Sequence, residues 1–177
     1  MSKNKKMLFN VILTAILIAL NVILERLMGF MSLTQYISIS VVTVAFAAVF
    51  LGVPYAVLVA TLGDVAGALL FPTGAYQIGF TLTNALAGLI IGLFLYKKAN
   101  ILTITLGVIT SKSICSLLLN SMLIAFLYRG GLDAFSLVLI PRIPAIAIMA
   151  LVEAIVLNVV FNEKSPIRKS LSKVIRK

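Results

Sequence analysis

With 177 residues, 62% hydrophobic and only 11% charged, against roughly 25% charged in a soluble domain, and with a mean hydropathy of +1.17, the chain reads as an integral membrane protein. Its net charge of +10 lies in short clusters flanking apolar runs, which membrane topology and anionic lipid explain, leaving no role for a nucleic acid partner. The chain has no histidine, no P-loop and no cysteine besides Cys115, which excludes the commonest metal ligand and proton relay, ATP hydrolysis by that route and an intramolecular disulfide.

A bilayer crossing takes about 20 mainly apolar residues. The first predicted span runs from about Met7 to Leu24 and ends at Glu25-Arg26. Its apolar run exceeds a signal-peptide core and no small-residue cleavage site follows, so it reads as a retained helix. The next stretch, MGFMSLTQYISIS, is too polar for lipid and is expected to form a re-entrant loop or a short strand. From Ile39 to Phe71 the chain is almost continuously apolar. Gly52-Val53-Pro54 divides it with turn residues, giving spans near Ser40–Leu51 and Tyr55–Leu70. A fourth span covers about Ile78–Tyr96, closed by Lys97-Lys98, and a fifth covers about Ile101–Leu127 with Lys112 partway along. After a turn at 128–133, the sixth span, about Leu137–Phe161, contains Pro141, Arg142, Pro144 and Glu153.

Basic residues cluster at Lys3, Lys5 and Lys6, at Lys97 and Lys98, and at Lys164, Arg168, Lys169, Lys173, Arg176 and Lys177. Positive flanks stay cytoplasmic. The expected fold is an all-α membrane protein of six transmembrane helices, a single domain over residues 1–177, with cytoplasmic N- and C-termini.

Asp64 departs furthest from its surroundings, a lone carboxylate in PYAVLVATLGDVAGALLFPTGAY. An acid at membrane depth is costly and usually faces a cavity, a partner charge or a substrate. Gly63 and Gly67 permit close helix approach, so Asp64 either contacts a ligand or staples helices through Lys112 or Arg142. Arg26 at the outer end of the first span, and Arg142 between its two prolines, can each hold a carboxylate through two parallel hydrogen bonds. The alternatives are snorkelling to headgroups or, for Arg26, pairing with Glu25.

The turn Phe71-Pro72-Thr73-Gly74-Ala75-Tyr76 has irregular backbone that lipid cannot satisfy, so it belongs at the surface or against a cavity. Phe71 and Tyr76 offer rings to sandwich a planar ligand, while Thr73 and Gly74 offer hydroxyl and backbone groups. Phe80, Thr81, Thr83 and Asn84 follow. Apolar walls with a few placed polar groups describe a small-molecule pocket, here on the outer side. Lys112 and Glu153 are expected to be buried partners of other polar groups, or interfacial. Ala15 and Ala19 form an AxxxA spacing typical of helix docking. No nucleophile–base pair and no metal-ligand cluster is visible, so neither an enzyme nor a cofactor is expected.

Three stretches taken together, LTAILIALNVILERL, VLVATLGDVAGALLFPTGAYQIGFTLTNALAGLIIGLF and LIPRIPA, resemble the substrate-binding S components of energy-coupling factor (ECF) vitamin transporters, and among them the folate type. The resemblance covers essentially the whole chain. It implies a multi-pass protein of the bacterial plasma membrane that captures a vitamin on the outer face. It also implies partners, one transmembrane coupling protein and two cytoplasmic ATPases, with the face of Ala15 and Ala19 docking on the coupling protein. Arg26, Asp64, Phe71, Pro72, Thr73, Gly74, Tyr76, Phe80, Thr81 and Arg142 then map around the pocket. Folate suits them, with a planar pterin for the rings and an acid or amide partner, and a glutamate tail for arginine. The chain departs from the family pattern at SLTQYISIS, which leaves pantothenate or riboflavin open as the vitamin, beside a non-transport membrane scaffold.

Overall fold

A computed structural model describes residues 3–31, 36–72, 76–129 and 131–175. Apolar runs of this length, with every backbone N–H needing an internal acceptor, leave the helix as the economical solution in lipid. The described elements are α1 (Lys3–Val22), continued by a π-helical turn at Ile23–Leu27, then strands β1 (Phe30–Met31) and β2 (Tyr36–Ile37), α2 (Val41–Phe50), α3 (Val53–Leu70) and α4 (Ile78–Leu95). They are followed by α5 (Ile101–Ser111), a π-helical stretch at Lys112–Leu119, α6 (Asn120–Tyr128), α7 (Phe135–Phe161) and α8 (Pro166–Ile175).

Among the described residues, five helical segments are long and apolar enough to cross a membrane: Asn4–Leu27, Val53–Leu70, Ile78–Leu95, Ile101–Tyr128 and Phe135–Phe161. The second predicted span differs. Its helix, α2, has 10 residues, about 15 Å at 1.5 Å per residue, half of a ~30 Å hydrocarbon core. The polar stretch before it is the reason. Instead of extending the helix it forms a two-stranded antiparallel hairpin that pairs Phe30 with Ile37 and Met31 with Tyr36, so its backbone finds partners inside the protein.

One end of the bundle is packed by small residues. Ala45, Ala47, Ala48 and Ala56 have no exposed surface, and they join Val59, Leu95, Ile104, Leu157 and Phe161 in one apolar core. Gly52 turns the chain between α2 and α3 at φ 112°, a conformation that costs glycine nothing, and a Cβ there would stand 3.2 Å from the Tyr96 ring. The Glu163 N–H donates to the Ala99 carbonyl at 2.9 Å, and Asn10 Nδ2 donates to the Tyr55 hydroxyl at 3.3 Å. These contacts bring the first turns of α1, the α2–α3 junction, the α4–α5 loop and the end of α7 together at this packed end.

Helix α8 escapes a reading based on apolar runs because it is not one. It is short and carries Arg168, Lys169 and Lys173. Arg168 Nη1 donates to the carbonyls of Phe161 at 3.2 Å and Ala99 at 3.4 Å, so a cation covers the last carbonyls of α7, where the helix dipole favours it.

Candidate functional site

At the opposite end, the helices part around a cavity of about 1030 Å³, at the upper limit of the ~300–1,000 Å³ usual for small-molecule pockets. Irregular helix geometry supplies its polar wall. A π turn inserts one residue per turn and rotates the residues after it to a new face. The first π turn carries Glu25 and Arg26, the second begins at Lys112 and holds Cys115 and Ser116, and all five line the cavity. On α7, Pro141 and Pro144 have no N–H to give the carbonyls four residues earlier, which loosens the helix around Arg142.

Three polar groupings face this space. In the first, Arg26 Nη2 stands 3.7 Å from Asp64 Oδ1. The Thr81 hydroxyl donates to Asp64 Oδ2 at 2.6 Å, and the Tyr76 and Thr81 hydroxyls are 2.7 Å apart. With the Thr81 proton directed at Asp64, Tyr76 is the donor of that last bond. Glycines make the grouping possible: a Cβ on Gly67 would stand 2.9 Å from Arg26 Nε, and one on Gly63 would collide with the Asn21 amide. Asn21, itself buried, donates to Thr43 Oγ1 at 2.8 Å and to the Ser40 carbonyl at 3.2 Å, tying α1 to the start of α2.

The second grouping is the Lys112–Glu153 ion pair, Nζ to Oε1 at 2.6 Å. The third is Arg142. Its side chain lines the cavity and is 6% exposed, yet Nε and Nη1 have no hydrogen-bond partner among the described residues. Buried guanidinium donors without an acceptor are expensive, and this side chain lines the cavity.

The sequence family described as "ECF transporter, substrate-specific component" matches residues 9–161. The chain belongs to that family. This S component is 28% identical over 144 residues to the folate transporter FolT of Clostridium novyi (strain NT), covering 81% of this chain and 82% of the relative. It is 30% identical over 136 residues to the folate transporter FolT of Leuconostoc mesenteroides subsp. mesenteroides, covering 75% and 73% respectively. Its fold is similar to a crystal structure of FolT bound with folic acid, with a TM-score of 0.78 at 25% identity over 89% of this chain and 95% of the other.

Of the residues singled out in the sequence of this S component, Arg26, Asp64, Tyr76, Phe80 and Arg142 line the cavity. Thr81 stands one layer behind, buried against Asp64. Phe71 and Pro72 are exposed and lie outside the lining, because α3 ends at Leu70 and the chain leaves the bundle there. Thr73 and Gly74 lie outside the described residues. Asp64 pairs with Arg26 rather than with Lys112 or Arg142, and Arg26 takes Asp64 rather than remaining at the headgroups. Lys112 and Glu153, expected to partner other polar groups or the interface, choose each other. Ala15 and Ala19 are both exposed and share the outward face of α1 with Ile12 and Ile16.

The cavity also uses Asn21, Gln77, Ser111 and Asn120, which do not stand out in the sequence. Asn120 Oδ1 accepts from Thr83 Oγ1 at 2.6 Å, so its amide N–H groups are left for other acceptors. Polar residues inside apolar runs were the available signal, but nothing in their spacing separates a cavity wall from an ordinary helix contact.

Proposed function

We propose that this S component binds folate from the outer side of the bacterial plasma membrane and passes it inward through a transmembrane coupling protein and two cytoplasmic ATPases. The observation that carries the substrate reading is Arg142, a buried cation facing a large cavity with unused donors. A carboxylate matches a guanidinium in two parallel bonds, and folate ends in a glutamate with two carboxylates. Its planar pterin and aryl rings suit walls built from Tyr76, Phe80, Ile91 and Ile146. Riboflavin has no carboxylate to offer, and pantothenate would fill little of a 1030 Å³ space. The FolT names of the relatives and the folic acid in the similar crystal structure support the same choice.

In this reading the whole chain acts as one substrate-binding domain, and α2 with its preceding hairpin takes the place of the sixth crossing. The packed end, flanked by Lys97, Lys98 and the basic α8, faces the cytoplasm with both termini, as positive flanks require. The exposed small-residue face of Ala15 and Ala19 allows a partner helix to approach closely and is the docking surface for the coupling protein. Ala15→Trp is expected to leave vitamin binding unchanged and abolish uptake into cells that supply the coupling module; normal uptake would remove this face from the assembly.

The deciding experiment is titration of the detergent-solubilised protein with folic acid, 5-formyltetrahydrofolate, pantothenate and riboflavin. It can be followed calorimetrically or by tyrosine fluorescence, since Tyr76 and Tyr128 line the cavity. Tight binding of the folates alone is expected. Tight binding of another vitamin moves the substrate, and binding of none makes the charged network a helix staple.

A further inference from the structure

Glu153 lies eleven residues beyond Arg142 on α7. Eleven residues make about three turns, so the two side chains share a face and stand about 16 Å apart along the axis. Ile146 and Met149 fall between them on that face, and all four line the cavity. One wall of the site therefore runs from a cation, over apolar surface, to an acid.

Glu153 is 2% exposed. Its Oε1 is held by Lys112, and its Oε2 has no hydrogen-bond partner among the described residues. Asp64 makes the contrast, because both of its oxygens are engaged, one by Arg26 and one by Thr81. A buried carboxylate oxygen without a donor is costly and gains from any N–H that reaches it. Lys112, for its part, has three N–H donors, of which Glu153 Oε1 takes one. Side by side, the pair offers a donor next to two acceptor oxygens.

We propose that Lys112 and Glu153 form the subsite that reads the 2-amino-4-oxo edge of the pterin, an inference that rests on the folate reading of the site. Along that edge a pterin presents the 4-oxo acceptor, the N3–H donor and the 2-amino donor in order. Lys112 donates to the 4-oxo oxygen, and the Glu153 carboxylate accepts from N3–H and the 2-amino group. The glutamate tail then reaches Arg142 at the other end of the wall, and the aryl ring crosses Ile146 and Met149. Asp64, an acid the sequence placed around the pocket, is left to hold Arg26, and Phe80 to pack against the ligand.

The test compares folic acid with its 2-desamino-2-methyl analogue, in which the 2-amino donor is replaced by a methyl group. Wild-type protein is expected to bind folic acid about 10- to 100-fold more tightly than the analogue, the range for one hydrogen bond to a charged group. In Glu153→Gln, folic acid binding weakens and most of that preference disappears, a coupling that a residue with a purely structural role would not produce. Equal affinities in the wild type overturn the subsite, and this arm requires no variant to fold. A preference that persists undiminished in Glu153→Gln overturns it too, since another group then reads the edge. If the wild type binds no folic acid at all, the folate reading itself has failed, which is a different result from binding without discrimination.

Discussion

The two ends of this bundle are built on opposite principles. At the packed end α2, α3 and α4 meet through alanine and glycine, with Ala45, Ala47, Ala48 and Ala56 fully buried and Gly92 pressed against Val53. Lipid tails are as apolar as the helices, so association there depends on close backbone approach rather than on the hydrophobic effect. At the cavity end α1 with its π turn, α3, the second π stretch and α7 bring Asn21, Glu25, Arg26, Asp64, Lys112, Arg142 and Glu153 to the cavity. The ion pairs Arg26–Asp64 and Lys112–Glu153 join four of these six charged groups, which leaves Glu25 and Arg142 outside them. Close packing and the cavity are thus separated along the helix axis: small residues fix the frame, and two π segments and two prolines turn polar groups inward where the frame opens.

Substitutions at the two ends should therefore fail in different ways. The largest effect is expected from Arg142→Ala, which on the proposed folate reading removes one side of a buried charge contact with the ligand. A loss of about 2–5 kcal/mol corresponds to an affinity weaker by roughly 30-fold or more in calorimetry. Thermal stability of the ligand-free protein should not fall, because the charge removed there had no acceptor. Unchanged affinity would take Arg142 out of the site.

Asp64→Asn comes next. It leaves Arg26 beside a neutral amide and should lower stability by about 3 kcal/mol, in the range for breaking a buried pair, as seen in thermal unfolding. Binding should weaken as well, because Asp64 and Thr81 hold Tyr76 against the cavity. An unaltered melting curve would mean that the pair is not structural.

At the packed end, Gly92→Val would push against Val53, whose Cγ1 lies 3.1 Å from an added Cβ. Overpacking should cost about 2 kcal/mol of stability while the folded fraction binds with wild-type affinity. A change in affinity without a change in melting would invert the division of labour between the ends. The smallest effect is expected from Asn100→Ala. Asn100 caps α5, its Oδ1 accepting from the Thr103 N–H at 2.8 Å while the Thr103 hydroxyl accepts from the Asn100 N–H at 3.1 Å. Its loss should cost about 1 kcal/mol in melting and nothing in affinity.

Much of this was legible in one dimension. Apolar length gave five of the spans to within a few residues, since lipid demands about 20 apolar residues wherever a helix crosses. Gly52 and Pro54 marked the α2–α3 junction because the backbone there needs a positive φ and then a helix start that tolerates proline. Asp64, Arg26 and Arg142 stood out because a charge in an apolar run is costly. Hydropathy could not see that α2 stops at 10 residues, because the hairpin that replaces its first turns depends on pairing between Phe30–Met31 and Tyr36–Ile37. It also could not see α8, whose residues are amphipathic rather than apolar.

The membrane class, the helical order and the short roster of charges that must be explained were all written in the sequence. Which charges meet was settled by the assembled helices alone. Lys112 and Glu153 are 41 positions apart and Arg26 and Asp64 are 38, and no local spacing rule reaches that far. The π segments rotate side chains out of the register that a 3.6-residue period predicts. Only with the helices assembled do the two cavity pairs close, and only then does Arg142 stand buried outside them, with Nε and Nη1 unpartnered among the described residues.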